Sequence, residues 1–203
     1  MDEKRALRQI KFMEFHSKKM RLAAEKWNSD FKILISTILS ARTRDEKTIP
    51  IARELFKKYS NPKKLSMAKI SEVRKIINPV NFYKNKSKNI INCSKKIVSD
   101  YKGKVPRNID DLVSLPGVGR KTANVFLSEI GKEAIGVDTH VSYISQNLGW
   151  TKNKKPEKIE EDLKKLFSRK NWVKINPKLV RFGKSHTSRK EKDKLLNEIR
   201  KLK

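Results

Sequence analysis

A four-residue hairpin, Pro116-Gly117-Val118-Gly119, joins two helical patterns and constrains the fold of this chain more than any other feature. Apolar residues recur at helical spacing on both sides of it: Ile109, Leu112, Val113 and Leu115 before it, and Ala123, Val125, Phe126, Leu127 and Ile130 after it. Glycine has no Cβ, so Gly117 and Gly119 allow a positive φ and a close approach to the peptide N–H groups. These groups open the second helix, where the macrodipole adds positive charge, so we predict that the joint binds an anionic phosphate.

Two chemically active side chains follow the hairpin. Lys121 lies in the first turn of the second helix, and an unprotonated lysine amine is a nucleophile. The helical pattern then runs to Gly131, and Asp138 precedes the next helical stretch, as an N-cap residue does. Without further information, Lys121 is equally well a solvated surface lysine and Asp138 a simple cap.

Basic residues far outnumber acidic ones. The chain of 203 residues has 50 Lys and Arg against 22 Asp and Glu, a formal net charge of +28. This excess predicts a polyanionic partner, with nucleic acid as the first candidate. The basic residues are spread along the helical patterns, which makes an anionic membrane the weaker alternative. Because the chain shows neither a signal peptide nor a long apolar run, we expect a soluble protein with no membrane partner.

Residues that bind metals or form disulfides are scarce. Cys93 is the only cysteine, and the three histidines show no ligand spacing, so we predict neither a disulfide nor a metal site. A reducing, intracellular location, cytoplasmic or nucleoid-associated, is the expectation that follows.

Helical periodicity extends through the whole chain. No segment alternates convincingly with the period of two that marks a strand, so we predict an all-α fold. Residues 31–41 are apolar nearly all round and are predicted to form a central buried helix. The last pattern before the tail is predicted to end at Gly183, and Leu195, Ile199 and Leu202 predict a short amphipathic helix after it.

Two motifs together, LPGVGRKTA at residues 115–123 and VDTHV at residues 137–141, resemble the helix-hairpin-helix and catalytic aspartate of the endonuclease III family of DNA glycosylases. Residues 31–45 resemble the buried second helix of that family with its following loop. Residues 81–90 resemble the segment that carries its DNA wedge. The resemblance extends from about Phe31 to Trp150.

The resemblance implies two helical lobes that flank a DNA-binding cleft. A six-helix barrel lobe would span residues 22–132, with the helix-hairpin-helix at about 108–131. Residues 1–21 and 133–203 would form the second lobe.

Most of the family closes the second lobe with four C-terminal cysteines around a [4Fe–4S] cluster. The C-terminal residues of this chain contain no cysteine, so no iron–sulfur cofactor is predicted. The amphipathic tail helix is expected to cap the lobe instead.

The resemblance also assigns chemistry to the two active side chains. In bifunctional family members, the lysine that matches Lys121 attacks C1′ of the damaged nucleotide, expels the base and forms a Schiff base, after which β-elimination cleaves the strand. The aspartate that matches Asp138 stabilises the cationic sugar and helps the lysine lose its proton. The predicted DNA contacts around them are Gly117, Val118, Gly119, Arg120 and His140.

Arg42 and Phe82 match, by position, the two residues with which the family fills the gap left by a flipped base. Glutamine and leucine are typical there, so this chain differs at both positions. Arginine still offers hydrogen bonds to the orphaned base, and phenylalanine still stacks. The alternatives are a surface arginine and a core phenylalanine.

These observations predict a bifunctional base-excision repair enzyme. It would remove damaged, oxidised pyrimidines and cleave the abasic site, acting as a monomer on double-stranded DNA that contains damaged bases or abasic sites. A mismatch-specific thymine or uracil glycosylase is the alternative among enzymes. A helix-hairpin-helix DNA-binding protein without catalysis is the alternative outside them.

Overall fold

The computed structural model of the protein describes residues 2–202, and within them the chain forms helices joined by turns, with no strand. The all-α prediction is confirmed. The helices are α1 (Glu3–Phe15), α2 (Asp30–Ser40), α3 (Asp45–Lys58), α4 (Pro62–Ser66), α5 (Ile70–Ile77), α6 (Tyr83–Asp100), α7 (Ile109–Val113), α8 (Arg120–Glu129), α9 (Thr139–Asn147), α10 (Pro156–Leu166), α11 (Arg169–Ser185) and α12 (Arg189–Lys201). None of these helices is long and apolar enough to cross a membrane.

The chain divides into two compact units. The terminal unit combines Met1–Met20 with Gly131–Lys203 and contains α1 and α9 to α12. The central unit, Arg21–Ile130, contains α2 to α8. The hairpin and Lys121 therefore belong to the central unit, and Asp138 belongs to the terminal unit.

Helix α2 forms the core of the central unit. It packs against α3, α6 and α8, and eight of its 11 residues are buried. Ser29 caps its start by accepting a hydrogen bond from the Lys32 N–H at 3.4 Å. A helix that is apolar on all sides must be surrounded by others, since a single packed face would leave the rest in water. The prediction of a central buried helix is confirmed.

Polar side chains on α1 connect distant parts of the terminal unit. Glu3 Oε1 accepts hydrogen bonds from the N–H and Oγ–H of Ser168 at 2.7 Å each, at the start of α11. Gln9 is fully buried; its Nε2 donates to the Ile199 carbonyl at 3.1 Å, and its Oε1 accepts from Trp150 Nε1 at 2.7 Å. Because these bonds join both ends of the chain, the terminal unit depends on residues that are far apart in sequence.

Helix α12 packs against α1 and α9 through a face that only partly matches the predicted one. Leu196 and Ile199 are buried, whereas Leu195 and Leu202 are only half-buried. Ile199 belongs to both the predicted and the observed stripe, so the buried face is rotated from the predicted face by less than one residue position. Arg5 donates to two carbonyl oxygens at the end of α12, at 2.7 and 2.8 Å, and so satisfies groups that no helical bond can reach.

Candidate active site

The hairpin between α7 and α8 is held by Gly117. Its φ is +82°, a conformation that residues with a side chain rarely adopt. A Cβ at this position would lie 2.8 Å from Asn89 Cβ on α6. Buried Val118 donates its N–H to the Leu115 carbonyl at 3.0 Å. The turn and its packing on α6 thus both require glycine at position 117.

At position 119, by contrast, neither the backbone nor the packing requires glycine. Gly119 is the N-cap residue of α8, with an ordinary extended backbone (φ −90°, ψ 171°). A Cβ at this position would meet no atom within 4 Å. The cap also offers no side-chain acceptor to the first turn of α8. Glycine here keeps open the space in front of the helix start, which is where an anion would bind.

Lys121 and Arg120 both project from this helix start. Arg120 is the first residue of α8 and Lys121 the second, and both are exposed. The structure thus places the predicted nucleophile in the same turn as the predicted anion site, with its amine accessible to a large substrate.

Asp138 is the N-cap of α9, as the sequence predicts. Its Oδ1 accepts a hydrogen bond from the Val141 N–H at 2.9 Å, and the side chain is half-buried. The preceding loop is fixed by buried Asn176 on α11, whose Nδ2 donates to the Gly136 carbonyl at 2.6 Å. The carboxylate is therefore held in one orientation by its own helix and by α11.

His140 packs tightly against α11. A Cβ at Gly183 would overlap the imidazole ring of His140. The prediction that a helix ends at Gly183 is wrong, because α11 continues to Ser185 and the glycine lies inside it. Glycine is needed at this position because α9 and α11 approach each other closely there, and not because the helix stops.

Arg42 and Phe82 lie side by side in the central unit. The guanidinium carbon of Arg42 is 4.9 Å from the centroid of the Phe82 ring. Both residues have a left-handed backbone, with φ of 56° and 60°. Phe82 is 54% exposed, so the alternative that it is a core residue is wrong. Strained residues without glycine's freedom persist where the surrounding structure enforces them, and they concentrate at functional sites.

The residues of the chain do not fit a four-thiolate cluster. Cys93 is buried in α6, and burial raises the pKa of its thiol to about 12, so it remains protonated. Within residues 2–202, no group of three or more His, Cys, Asp or Glu side chains is arranged to hold a metal ion.

Sequence reasoning missed three residues that support these side chains: Asn176, Gly183 and Lys86. A polar residue inside an otherwise apolar helical stripe is the one available signal for Asn176. Gly183 is visible in the sequence, where it predicts the end of a helix instead of a close contact between helices. Lys86 is one of many lysines and carries no local signal, because its partners belong to α2 and the turn after it.

Comparisons with known proteins identify the family that this chain resembles. Residues 35–169 match the family described as HhH-GPD superfamily base excision DNA repair protein. Endonuclease III of Thermotoga maritima is 44% identical over 155 residues, which cover 76% of this chain and 73% of that protein. Endonuclease III of Bacillus subtilis is 38% identical over 161 residues, covering 78% of this chain and 74% of that protein. The solved structure of a trapped endonuclease III–DNA covalent intermediate, an estranged-adenine complex, matches with a TM-score of 0.83 at 31% identity, covering 93% of this chain and 89% of that one.

Proposed function

Because this chain belongs to the HhH-GPD superfamily of base excision DNA repair proteins and has endonuclease III enzymes as relatives, we propose that it removes oxidised pyrimidines from double-stranded DNA and cleaves the resulting abasic site. It is a base-excision repair DNA glycosylase and abasic-site lyase. Neither a mismatch-specific thymine or uracil glycosylase nor a non-catalytic DNA-binding protein is favoured.

The observation that carries the proposal is the placement of Lys121. Its amine is exposed in the first turn of α8, directly after a hairpin that leaves the helix start open at Gly119. A phosphate bound there would hold a DNA strand beside the amine. The similar structure that contains a trapped covalent endonuclease III–DNA intermediate supports covalent chemistry for this chain too.

We assign Lys121 the role of nucleophile. Its unprotonated Nζ bonds to C1′ of the damaged nucleotide while the glycosidic bond breaks, and the base leaves with the bonding electrons and gains a proton. The sugar ring opens to an imine between Nζ and C1′. The imine acidifies C2′, so loss of a C2′ proton expels the 3′ phosphate. Water then hydrolyses the imine and releases the lysine.

We assign Asp138 the electrostatic role in the same reaction. A carboxylate stabilises the positive charge that develops on the sugar as the base departs. The hydrogen bond from Val141 to Oδ1 orients the group before substrate binds. His140, held against Gly183, is proposed to contact a DNA phosphate.

We assign Arg42 and Phe82 to the gap that opens when the damaged base leaves the stack. Extruding a base costs a few kcal/mol, which contacts inside the duplex must offset. An exposed phenyl ring can stack on the neighbouring bases, and an arginine can donate hydrogen bonds to the orphaned base.

DNA is the partner, and the net charge of +28 favours its binding. We propose that the protein acts on the chromosome as a monomer and without an iron–sulfur cluster. The single cysteine supports the absence of a four-thiolate cluster, and α12 packs against α1 and α9 in the terminal unit.

The assignment of Lys121 is tested with borohydride. A duplex with one abasic site is incubated with protein and borohydride, which reduces an imine to a stable covalent complex. We expect the complex to form with the wild type and to be absent with Lys121→Ala. Lys104→Ala, which removes one exposed lysine charge from the same unit, should trap like the wild type. Equal trapping or nicking by Lys121→Ala would refute the assignment.

Alanine substitutions at the two hairpin glycines are expected to differ in effect. Gly117→Ala places a side chain at positive φ and against Asn89, so we expect it to lower the free energy of unfolding by about 1–3 kcal/mol. Gly119→Ala should cost less, about 0.5–1 kcal/mol because alanine is a poorer N-cap than glycine, while weakening binding to duplex DNA. Urea unfolding and fluorescence anisotropy measure the two effects. Unchanged DNA binding in Gly119→Ala would contradict the anion site.

A further inference from the structure

Lys86 is a buried charge in the first turns of α6. Its side chain is only 6% exposed, and its Nζ donates to the carbonyl oxygens of Leu39 at 2.7 Å and Ala41 at 2.6 Å and to Thr43 Oγ1 at 3.2 Å. Burial lowers the pKa of Lys86 to about 8. A buried ammonium is unfavourable unless hydrogen bonds compensate, and here three acceptors match its three donors.

The acceptors of Lys86 all belong to the end of α2 and the turn after it. The last carbonyl groups of a helix lack partners within the helix, and Lys86 supplies partners from another helix. It thereby holds the Leu39 and Ala41 carbonyl groups before Arg42 and the Thr43 side chain after it, and so supports the left-handed backbone of Arg42.

Asn81 adds a second connection between this turn and the start of α6. Its Nδ2 donates to the Arg42 carbonyl at 2.6 Å, and its backbone N–H donates to Thr43 Oγ1 at 3.2 Å. Thr43 Oγ1 therefore accepts hydrogen bonds from both Asn81 and Lys86. The next residue is Phe82, so the same bonds hold Arg42 and the Phe82 ring beside each other.

We propose that Lys86 is a positioning residue for base extrusion: its ammonium fixes the turn that presents Arg42 beside Phe82, so that the two side chains enter the duplex as one stacked unit. The proposal rests on the proposed function, because it assumes that these two residues fill the gap. It deepens that function by adding a residue that touches neither DNA nor the reacting atoms.

A positioning role for Lys86 predicts that its substitution affects base excision and abasic-site nicking to different extents. Excision of a paired, damaged base requires extrusion and gap filling, whereas nicking of an abasic site in single-stranded DNA requires neither. A misplaced Arg42–Phe82 pair should therefore slow excision from duplex DNA and leave the nicking of single-stranded DNA unchanged. If Lys86 only stabilised the fold, its substitution would lower both rates by the same factor, because less protein would be folded.

The test compares Lys86→Met with Lys95→Met, an exposed lysine in α6 outside the segment 81–90 that carries Phe82. The substrates are a duplex with one thymine glycol, an oxidised pyrimidine, and a single strand with one abasic site. We expect Lys86→Met to slow excision by about 10- to 100-fold and single-strand nicking by less than about twofold. Lys95→Met should leave the ratio of the excision rate to the nicking rate as it is in the wild type. Equal slowing of both rates, or no slowing, in Lys86→Met would overturn the proposal.

Two further variants keep the test decisive. If Lys86→Met does not fold, Asn81→Ala removes the exposed donor to the Arg42 carbonyl and should lower the same ratio. An unchanged ratio in Asn81→Ala would then overturn the proposal. Where Lys86→Met does fold, it is also combined with Arg42→Ala. We expect the double variant to slow excision by less than the product of the two single fold-changes, because both substitutions disturb the same side-chain pair. A slowing equal to that product would show that Lys86 and Arg42 act independently and would contradict the proposal.

Failure of the proposed function has a different result. A wild type that nicks neither substrate refutes the lyase itself, whereas a wild type that nicks both while Lys86→Met keeps its ratio refutes only the role of Lys86.

Discussion

Asp138→Asn is expected to slow base excision by about 10²- to 10³-fold while leaving the fold intact, because the substitution removes the charge and keeps the cap. Asparagine caps a helix about as well as aspartate, and its Oδ1 can accept the same bond from Val141. We therefore expect the free energy of unfolding to change by less than about 0.5 kcal/mol. Single-turnover excision kinetics and urea unfolding measure the two quantities.

The matched control is the same substitution at another N-cap of the terminal unit. Asp2 caps α1 by accepting a hydrogen bond from the Arg5 N–H at 2.8 Å. Asp2→Asn should leave both excision and stability unchanged. Asp138→Ala should lose about 1 kcal/mol of stability in addition to activity, since it removes the cap as well. Full activity in Asp138→Asn would show that Asp138 is a cap only.

Removal of α12, by ending the chain after Thr187, is expected to destabilise the terminal unit by about 4–6 kcal/mol. Leu196 and Ile199 each contribute about 1.5–3 kcal/mol through their burial, and Gln9 and Arg5 lose carbonyl acceptors on α12. This loss is comparable with the whole stability of many domains. Amide hydrogen exchange in α1 and α9, which pack against α12, reports the loss of stability within the terminal unit.

Single substitutions on α12 check that its buried face carries the effect. Ile199→Ala should cost about 2–5 kcal/mol, whereas Asn197→Ala, on the exposed face, should cost less than about 0.5 kcal/mol. If the shortened chain kept the hydrogen-exchange protection of the full chain, α12 would be dispensable and the terminal unit would be stabilised by other contacts.

The sequence by itself determined the features that depend on neighbours a few residues apart. Helical periodicity gave the all-α class and the buried helix α2, which runs from Asp30 to Ser40. The glycine spacing located the hairpin, and a polar residue before an apolar stretch identified Asp138 as an N-cap. Such signals are readable because caps, turns and amphipathic stripes are set by local geometry.

Only the tertiary structure decided the features that depend on residues far apart in the chain. Lys86 bonds to acceptors 43 to 47 residues away, so nothing near it in sequence distinguishes it from an exposed lysine such as Lys84. Gly183 is glycine because α9 crosses α11 there, although its sequence context indicates a helix end. The buried face of α12 was likewise set by α1 and α9, since an amphipathic pattern fixes the existence of a helix more firmly than its rotation about its own axis.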